Sequence, residues 1–299
     1  MPGELGVPMS AIAVRRWLPS KHMLAWFPEW PLSALIAGSI LVLHGVIALT
    51  GPMWAPYSPT KILVGQPFAS PSTAHLLGTD NLGRDVFSRV VYGERTVLTL
   101  SLSATGLGVL CGASLGLVTG YARGWLDEVV MRIIDIMISI PPLILALLVI
   151  SALGSSPLLL VLTVAFFYVP RVARVVRAAT LRVVMEDFVT IARARGESAW
   201  SIAHKELLPN VIGTVLVEFA IRSGYAVIFI GSMGFLGFGP PPPTPEWGLM
   251  VNQGREYIVT APWAVVAPAV GIASLVVPLN LFTDGMARLL GQSVPWERH

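Results

Sequence analysis

Apolar runs of membrane-spanning length alternate with polar, turn-rich segments along this chain. A helix needs about 20 mostly apolar residues to cross a bilayer. Pro31–Leu49 meets that requirement, with His44 as its only titratable group. A polar stretch rich in Pro, Ser and Thr follows, from Gly51 to about Glu94. A second apolar run covers Thr96–Thr119, and its Gly, Ala and Ser content suits close helix packing in lipid. A third, Val129–Leu153, carries Pro141–Pro142, where a kink is expected because proline removes a helix hydrogen bond. A fourth, Pro157–Ala178, gathers Arg171, Arg174 and Arg177 in its second half. The fifth covers Val211–Phe238, and the sixth covers Pro262–Leu281 with Pro268 and Pro278 inside it. The pattern predicts an all-α integral membrane protein of about six spans.

The connection between the fourth and fifth spans is too long for a simple helical hairpin. Glu186–Ala194 and Ala199–Leu207 both read as helical, with Gly196 as the turn between them. Pro209 is expected to start the next span, in the first-turn position that proline tolerates. A small helix–turn–helix of this kind has the shape of a docking element; an ordinary solvated loop is the alternative.

Composition agrees with the pattern. Hydrophobic residues make up 54% of the 299, charged residues 12%, and mean hydropathy is +0.72. A soluble domain carries about 25% charged residues, so lipid is the expected solvent. The net charge of +3 does not form a basic patch, which argues against nucleic acid as a partner. Cys111 stands alone in an apolar run, with no disulfide partner and no metal-ligand spacing. No cleavable signal peptide is evident, and Arg15, Arg16 and Lys21 precede the first span. Basic residues there favour a cytoplasmic N-terminus, and an even number of spans then puts both termini inside. The 170–210 segment also falls inside, with seven Arg and Lys residues from Arg171 to Lys205. The 51–95 loop, with Lys61, Arg84, Arg89 and Arg95, keeps the bias from being absolute.

Several motifs resemble one family. Thr190–Asn210, TIARARGESAWSIAHKELLPN, is similar to the EAA loop of permease subunits of binding-protein-dependent ABC importers, matching at Ala192, Gly196, Leu208 and Pro209. Thr190, Ile191 and Glu206 depart from the general pattern and fit the peptide-permease branch better. His75–Leu98 resembles that branch's G-T-D-x-x-G-R-D-x-x-S-R element, with Gly78, Thr79, Asp80, Gly83, Arg84, Asp85, Ser88 and Arg89 in place. Gly120–Leu143, including Arg132 and Asp135, resembles its next element, and Gly234–Tyr257, with Trp247 and Gly248, a later one. Asn280–Leu290 is like its end, with Thr283 in place of a glycine. The resemblance is to the second permease subunit of dipeptide, oligopeptide and nickel importers, of the type I, MetI-like permease fold. It implies a cytoplasmic segment at 1–30, a first span and external loop at 31–94, a core domain at 95–290 with its coupling loop at 180–210, and a cytoplasmic tail at 291–299. It further implies a bacterial inner-membrane location, a homologous second permease, two ATPase subunits, an external binding protein and surrounding lipid as partners. Asp187, Ala192, Ala194, Arg195, Gly196, Glu197, Leu208 and Pro209 would then couple to an ATPase. Small side chains at Ala192, Ala194 and Gly196 would allow close approach to it.

The chain's own chemistry fits a permease. A P-loop needs G-x-x-x-x-G-K-[ST], and none of Lys21, Lys61 and Lys205 follows a glycine. ATP and magnesium would therefore act on separate chains, and no cofactor or metal is expected on this one. Gly112–Gly116 reads G-A-S-L-G, but a nucleophile elbow needs a strand–turn–helix, and Ser114 lies in an apolar span. Glu218 and Arg222 lie four apart in the fifth span, so they share a face. They are either part of a polar translocation path or a self-neutralising pair. Asp80, Arg84 and Asp85, with His75 nearby, make no ligand set and read as capping and interface residues. Arg132 and Asp135 are expected to pair with each other or with the fourth-span arginines. Pro240–Pro243 is a stiff external segment, either a spacer or a docking rim. The rivals to an importer subunit are a secondary transporter, which needs its own coupling-ion site, and a membrane-embedded enzyme, which needs a nucleophile or metal cluster.

Overall fold

The computed structural model describes residues 30–290; the tail at 291–299 and all but the last residue of the expected N-terminal segment lie outside the described residues. Ten α-helices, joined by turns, build this part of the chain: α1 Leu32–Trp54, α2 Val86–Ala122, α3 Gly124–Ser139, α4 Pro142–Leu153, α5 Pro157–Val183, α6 Asp187–Ala194, α7 Ala199–Ile202, α8 Leu208–Phe235, α9 Trp247–Gly254 and α10 Trp263–Leu289. Five stretches are long and apolar enough to cross a membrane, and the α3–α4 pair makes a sixth if its two halves form one span.

Two expectations about the spans change. The second span begins at Val86 rather than Thr96. Asp85 caps it, its Oδ2 accepting from the Ser88 amide at 2.8 Å. The first turns of α2 contain Arg89 and Glu94, which are buried and paired, so hydropathy alone does not mark them as helix. The expected kink in the third span is a break: α3 and α4 meet at 84°. A proline disfavours helical geometry in the residue before it. With two in a row, Ile140 and Pro141 are both extended. The 12 residues of α4 reach only about 18 Å at 1.5 Å per residue, short of a bilayer core of about 30 Å.

The helix pair after α5 also differs from expectation. Ala199–Leu207 does not stand apart from the fifth span. A π-helical turn at Ala203–Leu207 joins α7 to α8 without a gap. Pro209 has no N–H and its ring crowds the preceding turn; the wide turn just before it relieves that crowding, and the Leu208 amide reaches back to the Ala203 carbonyl. In the segment between α8 and α10, α9 is a helix that hydropathy did not mark. Glu246 caps it, accepting from the Gly248 and Leu249 amides at 2.8 and 2.7 Å.

The most extensive helix packing is between α2 and α5. Gly108, Gly112, Gly116 and Gly120 form a ridge at every fourth residue, on one face of α2. A Cβ on Gly112 would lie 2.7 Å from the Cβ of Val172, and one on Gly116 would lie 2.6 Å from the Ala173 carbonyl oxygen. Small residues let membrane helices approach this closely. Ser114 points away from the ridge and donates to the Leu110 carbonyl of its own helix, as a packing reading of G-A-S-L-G requires. The main apolar core gathers residues of α2, α4, α5 and α8, among them Leu100, Ile150, Phe167 and Ile230. A second, around Trp247, Val97 and Leu275, joins α2, α8, α9 and α10 at one end of the bundle. At the other end, Leu117 and Tyr121 of α2 pack beneath α6 and α7.

Candidate functional site

The α6–α7 hairpin is built by its turn. Gly196 sits at φ +75°, a left-handed conformation open to glycine without strain. Its amide donates to the Arg193 carbonyl at 2.9 Å, and the Glu197 amide donates to the Ala192 carbonyl at 3.2 Å. These two bonds close α6 as a Schellman motif. Ser198 then caps α7 by accepting from the Ser201 amide at 3.2 Å. Glu197 ties the turn together: Arg195 Nη2 donates to it at 2.6 Å and the Ser201 hydroxyl at 3.0 Å. The Arg195 guanidinium, with the Ser201 hydroxyl, holds the Glu197 carboxyl below its ordinary range.

The hairpin has two faces. Val184, Val189, Ala192, Ile202 and Leu207 are buried on the underside, against Leu117, Tyr121 and Val183. Arg193 lies over the Tyr121 ring at 4.9 Å from its centroid. The outer side leaves Met185, Phe188, Ile191 and Trp200 uncovered, Trp200 at 79% exposure. Asp187, Ala194, Arg195 and Gly196 are exposed, and Glu197 is half-buried. Ala192 differs from its expected placement. It is 0% exposed and faces the bundle, so its small side chain serves packing beneath the hairpin. Leu208 and Pro209 stand one turn beyond, where α8 begins.

Several charged groups of the spans are paired. Arg222 Nε and Nη2 donate to Glu218 Oε2 at 3.0 and 2.8 Å, and both side chains are largely buried. Arg177 grips Asp127 with two hydrogen bonds, and Arg174 pairs with Asp135. Asp135 thus takes the fourth-span option, and Arg132 is exposed outside both pairs. His44 links three helices: its Nδ1 lies 2.8 Å from Glu94 Oε1 and its Nε2 3.0 Å from the Ser274 carbonyl oxygen. A carbonyl only accepts, so Nε2 carries a hydrogen.

The residues of the G-T-D-x-x-G-R-D element fold the end of the bundle opposite the hairpin. Arg84 Nε and Arg89 Nη1 both donate to Asp80 Oδ2, at 2.7 and 2.5 Å. Both arginines also donate to Gln253 Oε1 at 3.1 Å, which clamps the 55–85 segment onto α9. Asp85 caps α2 and its Oδ1 lies 3.0 Å from His75 Nδ1. Gly78 and Gly83 take left-handed turns. The Thr79 hydroxyl donates to the Gln66 carbonyl and accepts from the Ala69 amide. Trp247 donates to the Val90 carbonyl at 3.0 Å. A Cβ on Gly248 would fall 1.9 Å from the Gly231 carbonyl oxygen, so α9 and α8 touch there through backbone. Sequence reasoning missed Gln253, Glu246 and the His44–Glu94 contact. The sole titratable group of an apolar span was a usable signal for the last.

The family model described as "Binding-protein-dependent transport system inner membrane component" matches residues 112–295. The glutathione transport system permease protein GsiD of Pectobacterium atrosepticum is 36% identical over 254 residues, covering 85% of this chain and 84% of that protein. GsiD of Escherichia coli O6:K15:H31 is 37% identical over 262 residues, covering 87% and 86%. The dipeptide transport system permease protein DppC of Alkalihalophilus pseudofirmus is 34% identical over 252 residues, covering 84% and 81%. Among solved structures, an inward-facing MetNI methionine ABC transporter shares the fold, with a TM-score of 0.56 and 21% identity, covering 68% of this chain and 96% of that one.

Proposed function

The chain belongs to the binding-protein-dependent transport system inner membrane component family, and we propose that it forms half of an inward path for peptide-like solutes. A homologous permease supplies the other half, and two separate ATPase chains supply the energy, with ATP and magnesium bound to them. The glutathione and dipeptide permeases among its relatives support that solute class. The observation that carries the reading is the two-faced hairpin: apolar contacts and a Schellman turn fix it to the bundle, while Phe188, Ile191 and Trp200 remain uncovered. Such a patch suits a cleft on an ATPase. Asp187, Ala194, Arg195, Gly196 and Glu197 form the rim of that contact, and Leu208 and Pro209 mark its joint with the bundle. The basic side chains Arg182, Arg193, Arg195 and Lys205, all exposed, support a cytoplasmic side for the hairpin and for both termini. The Asp80–Arg84–Arg89 end then faces outward, towards the binding protein.

Closure of the ATPases would move two hairpins together and switch the bundle between discrete arrangements. Glu218 and Arg222 neutralise each other and border the path as a polar seam. The test is uptake of labelled dialanine and of glutathione into proteoliposomes holding both permeases, the ATPases and the binding protein. Uptake is expected only with ATP and every chain present. Uptake by the permeases alone would make the chain a secondary transporter.

A further inference from the structure

Three buried side-chain atoms have no hydrogen-bond partner among the described residues, Arg89 Nε, Thr105 Oγ1 and the Tyr168 hydroxyl, and the last of them borders a cavity. The Tyr168 side chain is 5% exposed, and its hydroxyl makes no hydrogen bond among the described residues. It lines a cavity of about 230 Å³ between α4, α5 and α8. Arg171, Tyr225 and Ser232 share that cavity, and Phe167 and Phe229 form its apolar walls. The remaining side is made by Pro142 and Leu143, immediately after the break at Ile140–Pro141.

The break bears on what the cavity is for. Non-helical backbone at membrane depth is tolerated only where protein buries it or where it lines a water-filled space. Ile140 and Pro141 are exposed in this chain, as are Tyr225 and Ile228 of the cavity lining. A broken membrane helix beside a cavity whose apolar walls carry a few polar groups is a recurring form of solute site. The volume is below the ~300–1,000 Å³ of sites for drug-sized ligands, so it suits one or two amino-acid residues.

From these features we infer that the α4–α5–α8 cavity is a resting site on the solute path, where the Tyr168 hydroxyl donates to a carbonyl or carboxylate oxygen of a peptide-like solute. Arg171 stands at the exposed edge with a guanidinium able to grip a carboxylate through two N–H groups. The aromatic walls accept an apolar side chain. This rests on the proposed path for peptide-like solutes, and the experiment separates the two claims.

Two variants are measured in the full complex in proteoliposomes. Tyr168→Phe keeps the ring and removes the hydroxyl. Its uptake of labelled dialanine or glutathione per ATP hydrolysed is expected to fall about five-fold, the scale of one lost hydrogen bond. Unchanged uptake per ATP in a complex that transports either probe overturns the site and leaves the permease reading standing. Tyr168→Cys, on a Cys111→Ser background, is then treated with a membrane-impermeant thiol reagent with and without ATP. Labelling in at least one nucleotide state is expected. If the wild-type complex takes up neither probe, the solute class fails, and the labelling alone decides the cavity. No labelling in any state means that a side chain of the partner permease fills the space, and the site is overturned.

Discussion

Replacing Gly196 by valine tests the hairpin where its geometry is most demanding. The residue sits at φ +75°, and a Cβ there would meet nothing within 4 Å. The substitution therefore adds no clash with the bundle. Its cost is confined to the backbone: about 1–2 kcal/mol for a left-handed L-residue, with a β-branched side chain at the upper end. Each 1.4 kcal/mol is a factor of about ten in population, so the closed turn loses roughly 5–30-fold against its alternatives. The Gly196–Arg193 and Glu197–Ala192 bonds are lost when the turn opens, and the exposed Phe188–Trp200 surface loses its fixed shape. Gly196→Asn, which tolerates this region better, is expected to lie between glycine and valine. The assay is solute taken up per ATP hydrolysed in proteoliposomes, alongside the amount of each variant inserted and its melting temperature in detergent. Lower coupling in the order Gly, Asn, Val at constant insertion and melting is expected. Wild-type coupling in Gly196→Val would show that the turn has no part in transmission. An equal drop in melting would show that the damage is global.

Three further outcomes follow from other parts of the molecule. Gly116→Ala would place a Cβ 2.6 Å from the Ala173 carbonyl oxygen, and overpacking of this kind costs about 1–3 kcal/mol, read as a lower melting temperature. Gly106→Ala on the same helix meets nothing within 4 Å and should melt no lower than wild type. Asp80→Asn leaves the Arg84 and Arg89 guanidiniums buried without their shared carboxylate, a loss of about 3–5 kcal/mol that should appear as poor yield of folded complex. Burial pushes the Glu246 carboxyl from 4.5 up to about 7, against the pull of the Gly248 and Leu249 amides. The folded chain then holds that proton more tightly than the unfolded one. Stability is greatest below the unfolded value and falls by about 3 kcal/mol as pH rises through the folded value. Melting measured from pH 5 to 8 should decline, and Glu246→Gln should flatten the slope.

The span count was legible because a membrane helix is specified by the length of its apolar run, and α1 is little else. The Gly108–Gly120 ridge was legible as composition, although its partner helix was not. The hairpin turn was readable from a glycine between two helical patterns. Other features depend on direction or partnership, which hydropathy does not encode. The 84° break arises from two adjacent prolines acting on Ile140 and Pro141 together, where each alone predicts a kink. α2 starts early because Arg89 and Glu94 find buried partners: Asp80 in the preceding loop, Gln253 in the unexpected helix α9 and His44 in α1. Ala192 fits either face of α6, and only the packing of Leu117 and Tyr121 beneath it fixes the inward one. Tyr168 read as one more apolar-run residue, and its unpaired hydroxyl is visible only in three dimensions.

The continuous length of α2 has a mechanical meaning. Its 37 residues make a rod of about 55 Å, with no proline to bend it. The glycine ridge seats α5 against it with almost no side-chain padding, and so the two behave as a single stiff beam. One end lies under the hairpin, through Leu117 and Tyr121; the other carries Arg89 and its clamp on α9. A tilt of roughly 5° imposed at the hairpin would carry the far end of such a rod by about 5 Å. The cap at that end would feel the stroke directly, with no hinge along α2 to absorb it.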